Sequence, residues 1–179
     1  MKAGNSNSGQ NFAYQTSNAE VMAALCDILV FRNDEETPNR QRTPTEVVDH
    51  VLNPRKNRYL DVKEVDSPKR PGNADRNFPG DPARGGLGWD GVYRDPFGNP
   101  YIISLDLNYD NRCRDAFYRR ASVSVGGING LSRPAGVTTG DVFEANKPIM
   151  IWSFGPDGKA DPTLKANQGV NKDNVISWQ

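Results

Sequence analysis

The stretch Asp95–Tyr101, with the sequence DPFGNPY, runs directly into Ile102–Leu107, with the sequence IISLDL, and this junction decides the fold that we expect. Pro96 and Pro100 fix φ and Gly98 tolerates positive φ, so the first part predicts a stiff turn. Apolar and polar residues in the second part alternate with the two-residue period of a half-buried strand. One face of that strand carries Ile103, Leu105 and Leu107, and the other carries Ile102, Ser104 and Asp106.

Size and composition indicate one domain over residues 1–179, rich in loops. The chain is 36% hydrophobic and contains 17 glycines and 13 prolines, which is more turn-forming residue than an average globular domain carries. Its 22 basic residues equal its 22 acidic ones, so charge provides no bulk attraction to nucleic acid or to an anionic membrane. No apolar run approaches the roughly 20 residues that span a bilayer. We therefore expect a cytosolic protein or a trimmed soluble fragment.

Two capping-box patterns predict helices near the N-terminus. The first, Ser17–Glu20, precedes apolar residues at helical spacing and predicts a helix over Ala19–Phe31. The second, Thr43–Glu46, predicts a short helix over Pro44–Leu52, which the Asn53-Pro54 pair ends. This second helix would contain His50, the single histidine, which we interpret as structural because acid–base chemistry needs a placed partner.

Further strands are expected in the second half of the chain. Ala121–Val125 alternates and predicts a short strand, and Pro148–Phe154 is the most apolar run and predicts a central strand buried on both faces. Asp66–Gly91, rich in Pro, Gly, Asn and Asp, predicts a long loop. A helix first, strands later and long loops throughout favour an α+β fold with an antiparallel sheet.

The C-terminal segment holds the best candidates for a metal site. Four hard oxygen donors lie on loops that could fold toward each other: Asp157, Asp161, Asp173 and Asn174. Carboxylate, amide and backbone oxygens are the ligands of Ca²⁺, although the spacing is not that of an EF-hand. The alternative is that these residues form Asx-turns that close on their own backbone.

Two other groups of residues leave alternatives open. Cys26 and Cys113 could form a disulfide in an oxidising compartment, or they could be two buried free thiols. An arginine cluster encloses two aromatic residues: Arg112, Arg114, Phe117, Tyr118, Arg119 and Arg120. It could bind single-stranded nucleic acid or another subunit, but we favour a solvated loop paired with Asp106, Asp110 and Asp115. No catalytic constellation is evident, so we expect no enzymatic activity.

Three pieces of the chain together resemble the type II secretion pseudopilins, a type IV pilin-like family. The helix around Glu20–Leu25 looks like the end of the pilin spine helix. Tyr93–Tyr101 is similar to the family's Asp-Pro-aromatic-Gly-Asn-Pro-Tyr motif. Trp152–Lys159, followed by Asp173–Trp178, looks like the closing Ser-x-Gly-x-Asp-Gly loop and the final Asp-x-x-x-Trp segment. The resemblance implies a pilin-like fold, an N-terminal helix packed on a small antiparallel β-sheet with long loops.

The resemblance also implies a function. Such subunits assemble with copies of themselves or with other pseudopilins into a filament that works with the secretion machinery to export proteins. In major pseudopilins the closing loop binds calcium, and Asp157 matches the Asp of its Asp-Gly pair. The second ligand is open: Asp161 lies too close for the family pattern, and Asp173 and Asn174 lie beyond an insertion over 162–170. The same setting, on the periplasmic or extracellular face of the inner membrane, favours a disulfide between Cys26 and Cys113.

The chain departs from the family in lacking the apolar half of the spine helix and the prepilin-peptidase site. We therefore expect a soluble ectodomain, which would be attached to the inner membrane only through a helix outside this sequence. The alternative function is an extracellular carbohydrate- or protein-binding module, in which Trp89, Tyr93 and Phe97 form a stacking platform.

Overall fold

A computed structural model describes residues 18–65 and 85–178 of the chain. They form two compact units, one made of residues 18–65 and 85–100 and the other of residues 101–178. Both α-helix and small antiparallel sheets are present, which confirms the expected mixture of elements. Across these two described ranges, every helix is too short or too polar to cross a membrane. The prediction of a single domain over 1–179 stays a prediction.

The first unit contains one helix and two short antiparallel strand pairs. Helix α1 spans Ala19–Leu25, strands β1 (Arg40–Arg42) and β2 (Val47–Asp49) form a hairpin, and β3 (Gly86–Leu87) pairs with β4 (Tyr93–Arg94). The small core of this unit is made by Met22, Cys26 and Leu87, against which Ile28, Val62 and Tyr93 pack.

Helix α1 is shorter than predicted, because it ends at Leu25 and not at Phe31. Asp27 adopts a left-handed conformation with φ 54°, and the Ile28 N–H donates to the Ala23 carbonyl at 2.9 Å. These are the features of a Schellman motif, which closes the last helical turn. At the other end, the Asn18 side chain does not cap the helix. It hydrogen-bonds both backbone groups of Tyr93, and the predicted cap Ser17 lies outside the described residues.

The helix predicted over Pro44–Leu52 is wrong, because this segment contributes to the β1–β2 hairpin. The Thr43 Oγ1 accepts the Glu46 N–H at 3.0 Å, the bond expected of a capping box, but here it stabilises the turn between two strands. In this hairpin Arg40 lies opposite Asp49, and Arg42 lies opposite Val47. Adjacent β-branched valines favour the extended conformation, and a bidentate contact between Arg40 and Asp49 joins the two strands.

His50 therefore lies outside any helix, directly after β2, with φ 64°. Its Nδ1 lies 2.8 Å from Asp27 Oδ1, and this hydrogen bond lowers the pKa of the Asp27 carboxyl. The fully buried Asn39 donates to the same oxygen at 3.0 Å and accepts the N–H groups of Leu52 and Asn53. The histidine thus connects the hairpin to the end of α1, which supports its interpretation as structural.

The second unit is built on a three-stranded antiparallel sheet in the order β5-β6-β7. Strand β5 spans Ile102–Leu105, β6 spans Ile149–Ser153 and β7 spans Val175–Ile176. The predicted strand after the Asp95 turn and the predicted central strand are both confirmed. A short helix α2 (Ala121–Ser124) and the 3₁₀ turn Gly169–Asn171 lie in the connections.

One face of this sheet packs on the aromatic core. The core-facing residues are Ile102, Ser104, Met150, Trp152 and Ile176. Ile149 on the opposite face is 40% exposed, so the prediction that β6 is buried on both faces is wrong at this position. Ile151 on the same face is partly buried and Ser153 is fully buried, so the exposure is confined to the start of β6.

The segment predicted as a strand over Ala121–Val125 forms helix α2 instead. The Ala121 N–H donates to Asp141 Oδ1 at 2.8 Å, and the Ser124 hydroxyl donates to the Tyr118 carbonyl at 2.6 Å. The first bond satisfies a free amide at the helix N-terminus from 20 residues away. Alternation of Ala, Ser and Val therefore suits either conformation, and the distant aspartate favours the helix.

A buried carboxylate, Asp115, joins the sheet to the aromatic core. Its Oδ2 accepts the Ser104 hydroxyl from β5 at 2.9 Å and the Trp152 indole N–H from β6 at 3.1 Å. Its Oδ1 accepts the backbone N–H groups of Phe117 and Tyr118, both at 2.9 Å. The rings of these two residues pack on Trp152 with centroids 5.2 Å apart. One fully buried side chain thus fixes both strands and both rings.

We expect Asp115→Ala to destabilise the protein strongly, by about 3–5 kcal/mol, because it leaves buried donors on Ser104 and Trp152 without an acceptor. Asp115→Asn should cost less, since it keeps an oxygen for the two backbone amides. Urea unfolding followed by tryptophan fluorescence measures both. Asp61→Ala, which removes an aspartate whose side chain is 100% exposed, is the control and should change stability little. Equal midpoints for Asp115→Ala and the control would contradict the role assigned to Asp115.

Candidate functional site

Two of the four predicted metal ligands, Asp157 and Asp173, come together between the end of β6 and the start of β7, through the Asp157 backbone amide and the Asp173 carboxylate. Gly155 follows β6 with φ 66°, and a Cβ at this position would collide with the Asp173 carbonyl oxygen. The Asp157 N–H donates to Asp173 Oδ2 at 3.3 Å, and Asp157 Oδ1 accepts the Lys159 N–H at 2.8 Å. Only glycine permits this close approach, so Gly155 is what allows the two aspartates to meet.

Asp161 is directed elsewhere. Its Oδ1 accepts both the N–H and the hydroxyl of Thr163, at 2.8 and 2.7 Å, and these bonds lower the pKa of the carboxyl. Its backbone N–H donates to Asn171. The carboxylate therefore closes its own turn, as the alternative interpretation of these residues expects.

Asn174 faces the aromatic core. Its Nδ2 donates to the Tyr118 hydroxyl at 3.2 Å, and burial raises the pKa of that phenol well above its usual range. The Asn174 Oδ1 is buried and has no hydrogen-bond partner among the residues that the structure describes. Bulk solvent does not reach a buried oxygen of this kind. A single bound water or a cation would satisfy it.

The donor set fits calcium in part. Residues 18–65 and 85–178 contain no group of three or more His, Cys, Asp or Glu side chains arranged around one point. Ca²⁺ takes six to eight oxygens, of which carboxylates are only some. Asp157 and Asp173 can supply two carboxylates, and backbone carbonyls and water would have to supply the rest. Asp161 and Asn174, directed as described above, are not part of this pair.

An asparagine that we did not single out from the sequence closes the insertion over 162–170. Asn171 is 1% exposed; its Oδ1 accepts the Asp161 N–H at 2.7 Å, and its Nδ2 donates to the Asp161 carbonyl at 2.8 Å. The same Nδ2 reaches the carbonyls of Leu164 at 3.0 Å and Lys165 at 3.3 Å. We call this arrangement the Asn171 bracket. It holds the loop by one side chain, and no sequence pattern distinguishes Asn171 from neighbouring polar residues.

Both cysteines are free and buried in this structure, and the disulfide that the resemblance favours stays a prediction. Burial raises the pKa of the Cys26 thiol, and it raises the pKa of the Cys113 thiol to about 11. The thiolate is the nucleophilic form, so neither cysteine is poised for reaction at neutral pH.

The arginine cluster does not carry an exposed aromatic platform. Phe117 and Tyr118 are at most 1% exposed and belong to the core. Arg112 and Arg114 both pair with the buried Glu144, at 2.7 and 3.0 Å. Asp115, expected to pair with these arginines on a solvated loop, is buried beneath the sheet, because its four hydrogen bonds replace water.

The Asp95 turn acts as a scaffold. Asp95 Oδ1 accepts the N–H groups of Phe97 and Asn99 at 2.9 and 2.8 Å, and the Gly98 N–H donates to the Asp95 carbonyl with Gly98 at φ 89°. Trp89, Tyr93 and Phe97, the expected stacking platform, are all partly buried. Tyr93 packs on the core of the first unit, so its ring is not free to stack on a ligand.

We expect Asn171→Ala to loosen the loop over 162–170, because four hydrogen bonds depend on that one side chain. Limited proteolysis with trypsin should cleave at Lys165 faster in this variant than in the unmodified protein. Asn167→Ala, an exposed asparagine in the same loop, is the matched control and should leave the rate unchanged. If both variants are cleaved at the rate of the unmodified protein, the bracket does not hold the loop.

The chain was compared with protein-family models, with curated proteins and with solved structures. None of these three comparisons returns a match. A function for this chain has to be argued from its own residues and their geometry.

Proposed function

We propose that the chain is the soluble head of a pilin-like filament subunit, similar to the type II secretion pseudopilins, and that it has no enzymatic activity. The observation that carries the proposal is the meeting of the two halves of the closing motif. Trp152 pairs with Ile176 and Ser153 with Val175, and this pairing brings the loop around Asp157 to Asp173. Sixteen residues separate those aspartates in the sequence, so their contact is a property of the fold and of the Gly155 turn.

The surrounding architecture supports a structural role. The Asp95 turn leads directly into β5, the first strand of the sheet, as the motif order of the resemblance implies. The Asn171 bracket and the Asp115 network hold the loops rigidly, and rigid loops suit a subunit that must present the same surface in every copy. In this proposal the partners are further copies, other pseudopilins and the secretion machinery. The head lies on the periplasmic or extracellular face and is held at the inner membrane by a helix outside this sequence.

The genomic sequence upstream of Met1 tests this proposal directly. A filament subunit of this type should carry a prepilin-peptidase site and an apolar helix of roughly 20 residues immediately before the head. Translation of the upstream reading frame should therefore continue into such a leader. An ordinary cytosolic start at Met1, with a promoter and ribosome-binding site directly before it, would refute the pilin-like assignment.

Calcium is the second part of the proposal, with Asp157 and Asp173 as its carboxylate ligands. When bound, the ion would supply charge neutralisation between the two loops. An ion that binds only the folded state at about 100 times its Kd stabilises by about 2.7 kcal/mol, on the order of 5–10 °C in Tm. We expect calcium to raise the Tm of the EDTA-treated protein by this amount.

Asp157→Asn and Asp173→Asn should each remove the calcium-dependent shift in Tm. Asp161→Asn is the matched control and should retain it, because the Asp161 carboxylate hydrogen-bonds Thr163 and does not contact Asp173, whereas the Asp157 amide does. If neither EDTA nor calcium changes the Tm of the unmodified protein, the calcium part of the proposal is wrong, while the filament assignment is unaffected.

A further inference from the structure

The segments around Cys113 and Ala145 lie side by side in the second unit and gather three charged side chains on one surface. Cys113 and Ala145 exchange both backbone hydrogen bonds, each at 3.0 Å, and their side chains belong to the aromatic core. Successive side chains of an extended segment point to opposite faces. The residues beside this pair, Arg112, Arg114 and Glu144, therefore lie on the face that points away from the core.

Glu144 is buried beneath the two arginine side chains. Arg112 Nη1 donates to Glu144 Oε1 at 2.7 Å, and Arg114 Nε donates to Glu144 Oε2 at 3.0 Å. The glutamate is 3% exposed, whereas the two arginine side chains are 47% and 48% exposed. Because each carboxylate oxygen binds a different guanidinium, the buried glutamate holds both arginines in place. We call these three residues the arginine clamp.

The clamp keeps hydrogen-bond donors and positive charge that Glu144 does not use. An arginine has five N–H donors in a planar fork, and each of these two side chains gives one to Glu144. Within residues 18–65 and 85–178, neither arginine side chain makes a further hydrogen bond. Two cations also face a single anion. The exposed side of the clamp is therefore a cationic surface with several oriented donors.

A second arginine pair, in the first unit, lacks this surplus of charge. Arg40 and Arg42 are also two residues apart in one strand, β1. Arg40 binds Asp49 through two nitrogens, and Arg42 Nε lies 2.7 Å from both carboxylate oxygens of Glu36. Each arginine of that pair has its own carboxylate, so the pair is neutral. It provides an internal comparison for the clamp.

The positive charge of the clamp acts beyond Glu144. The pKa of the nearby Asp110 carboxyl is lowered, first by a hydrogen bond from the Asn108 side chain, then by the Arg112 N–H and by the charges of Arg112 and Arg114. An anion on the exposed side of the clamp would experience the same attraction.

We infer that the arginine clamp binds a tetrahedral oxyanion, a phosphate or sulfate group, on its exposed side. A carboxylate has only two oxygens, whereas a phosphate or sulfate presents oxygens to both guanidinium forks at once. Glu144 orients the forks before the ligand arrives, so little side-chain entropy is lost on binding. The site lies within the second unit and does not depend on the proposed filament function.

An NMR titration of the unmodified protein tests the site, with the arginine Nε–Hε signals as the readout. Inorganic phosphate, sulfate and acetate are added separately at constant ionic strength, because salt alone screens exposed charges. We expect phosphate and sulfate to shift the Arg112 and Arg114 signals saturably and to bind about tenfold more tightly than acetate. The Arg40 and Arg42 signals should show no saturable shift. Glycerol 3-phosphate in a further titration distinguishes a phosphate ester from the free ion as the ligand.

Arg114→Lys tests the role of the fork. Lysine keeps the charge that neutralises Glu144 but loses the planar donors, so phosphate binding should weaken about tenfold. Arg42→Lys is the matched control and should bind phosphate as the unmodified protein does. Circular dichroism shows whether each variant is folded; if Arg114→Lys is not, the arginine signals of the unmodified protein decide the question.

Three results would overturn the inference: equal saturable shifts in both arginine pairs, acetate binding as tightly as phosphate, or no saturable shift with either phosphate or sulfate. A folded Arg114→Lys variant that binds phosphate like the control would also overturn it. None of these results affects the filament assignment, which the upstream leader tests.

Discussion

Four hydrogen bonds converge on the Asp115 carboxylate, and the second unit is organised around it. They come from Ser104 on β5, from Trp152 on β6 and from the backbone at Phe117 and Tyr118. A carboxylate with no exposed surface is tolerable only when its oxygens are hydrogen-bonded in this way, so the sheet, the aromatic rings and the carboxylate have to be placed together. On the opposite face of the sheet, Ile149 is 40% and Val175 49% exposed, whereas Ser153 is fully buried.

The C-terminal loop is held at two places by different means. At the end of β6, Gly155 lets the chain approach Asp173, and the Asp157 amide meets the Asp173 carboxylate. Further along, Asn171 gathers the backbone of the insertion through hydrogen bonds alone. The proposed calcium ion concerns only the first of these places. A chain with this bracket could therefore lose its ion without losing the shape of the insertion, which is a physical reason to test the two separately.

Local chemistry explains which predictions from the sequence are confirmed and which are wrong. The strand after the Asp95 turn and the central strand of the sheet have strong local patterns, and both are present. The helix expected over Pro44–Leu52 has an equally clear start, yet the same Thr43–Glu46 hydrogen bond serves a hairpin turn. Of the four candidate metal ligands, two meet and two do not, because the side chains of Asp161 and Asn174 bind Thr163 and Tyr118 instead.

The sequence by itself determined the turns and the alternation of the strands, because φ restrictions of proline and glycine and the two-residue period act between neighbours in the chain. Only the tertiary structure decided where α1 ends, which face of β5 is buried and which aspartates become structural. The two aspartates depend on distant partners: Asp27 binds His50, 23 residues away, and Asp115 binds Trp152, 37 residues away. A polar side chain has several possible hydrogen-bond partners in an unfolded chain, and packing of the core is what selects one of them.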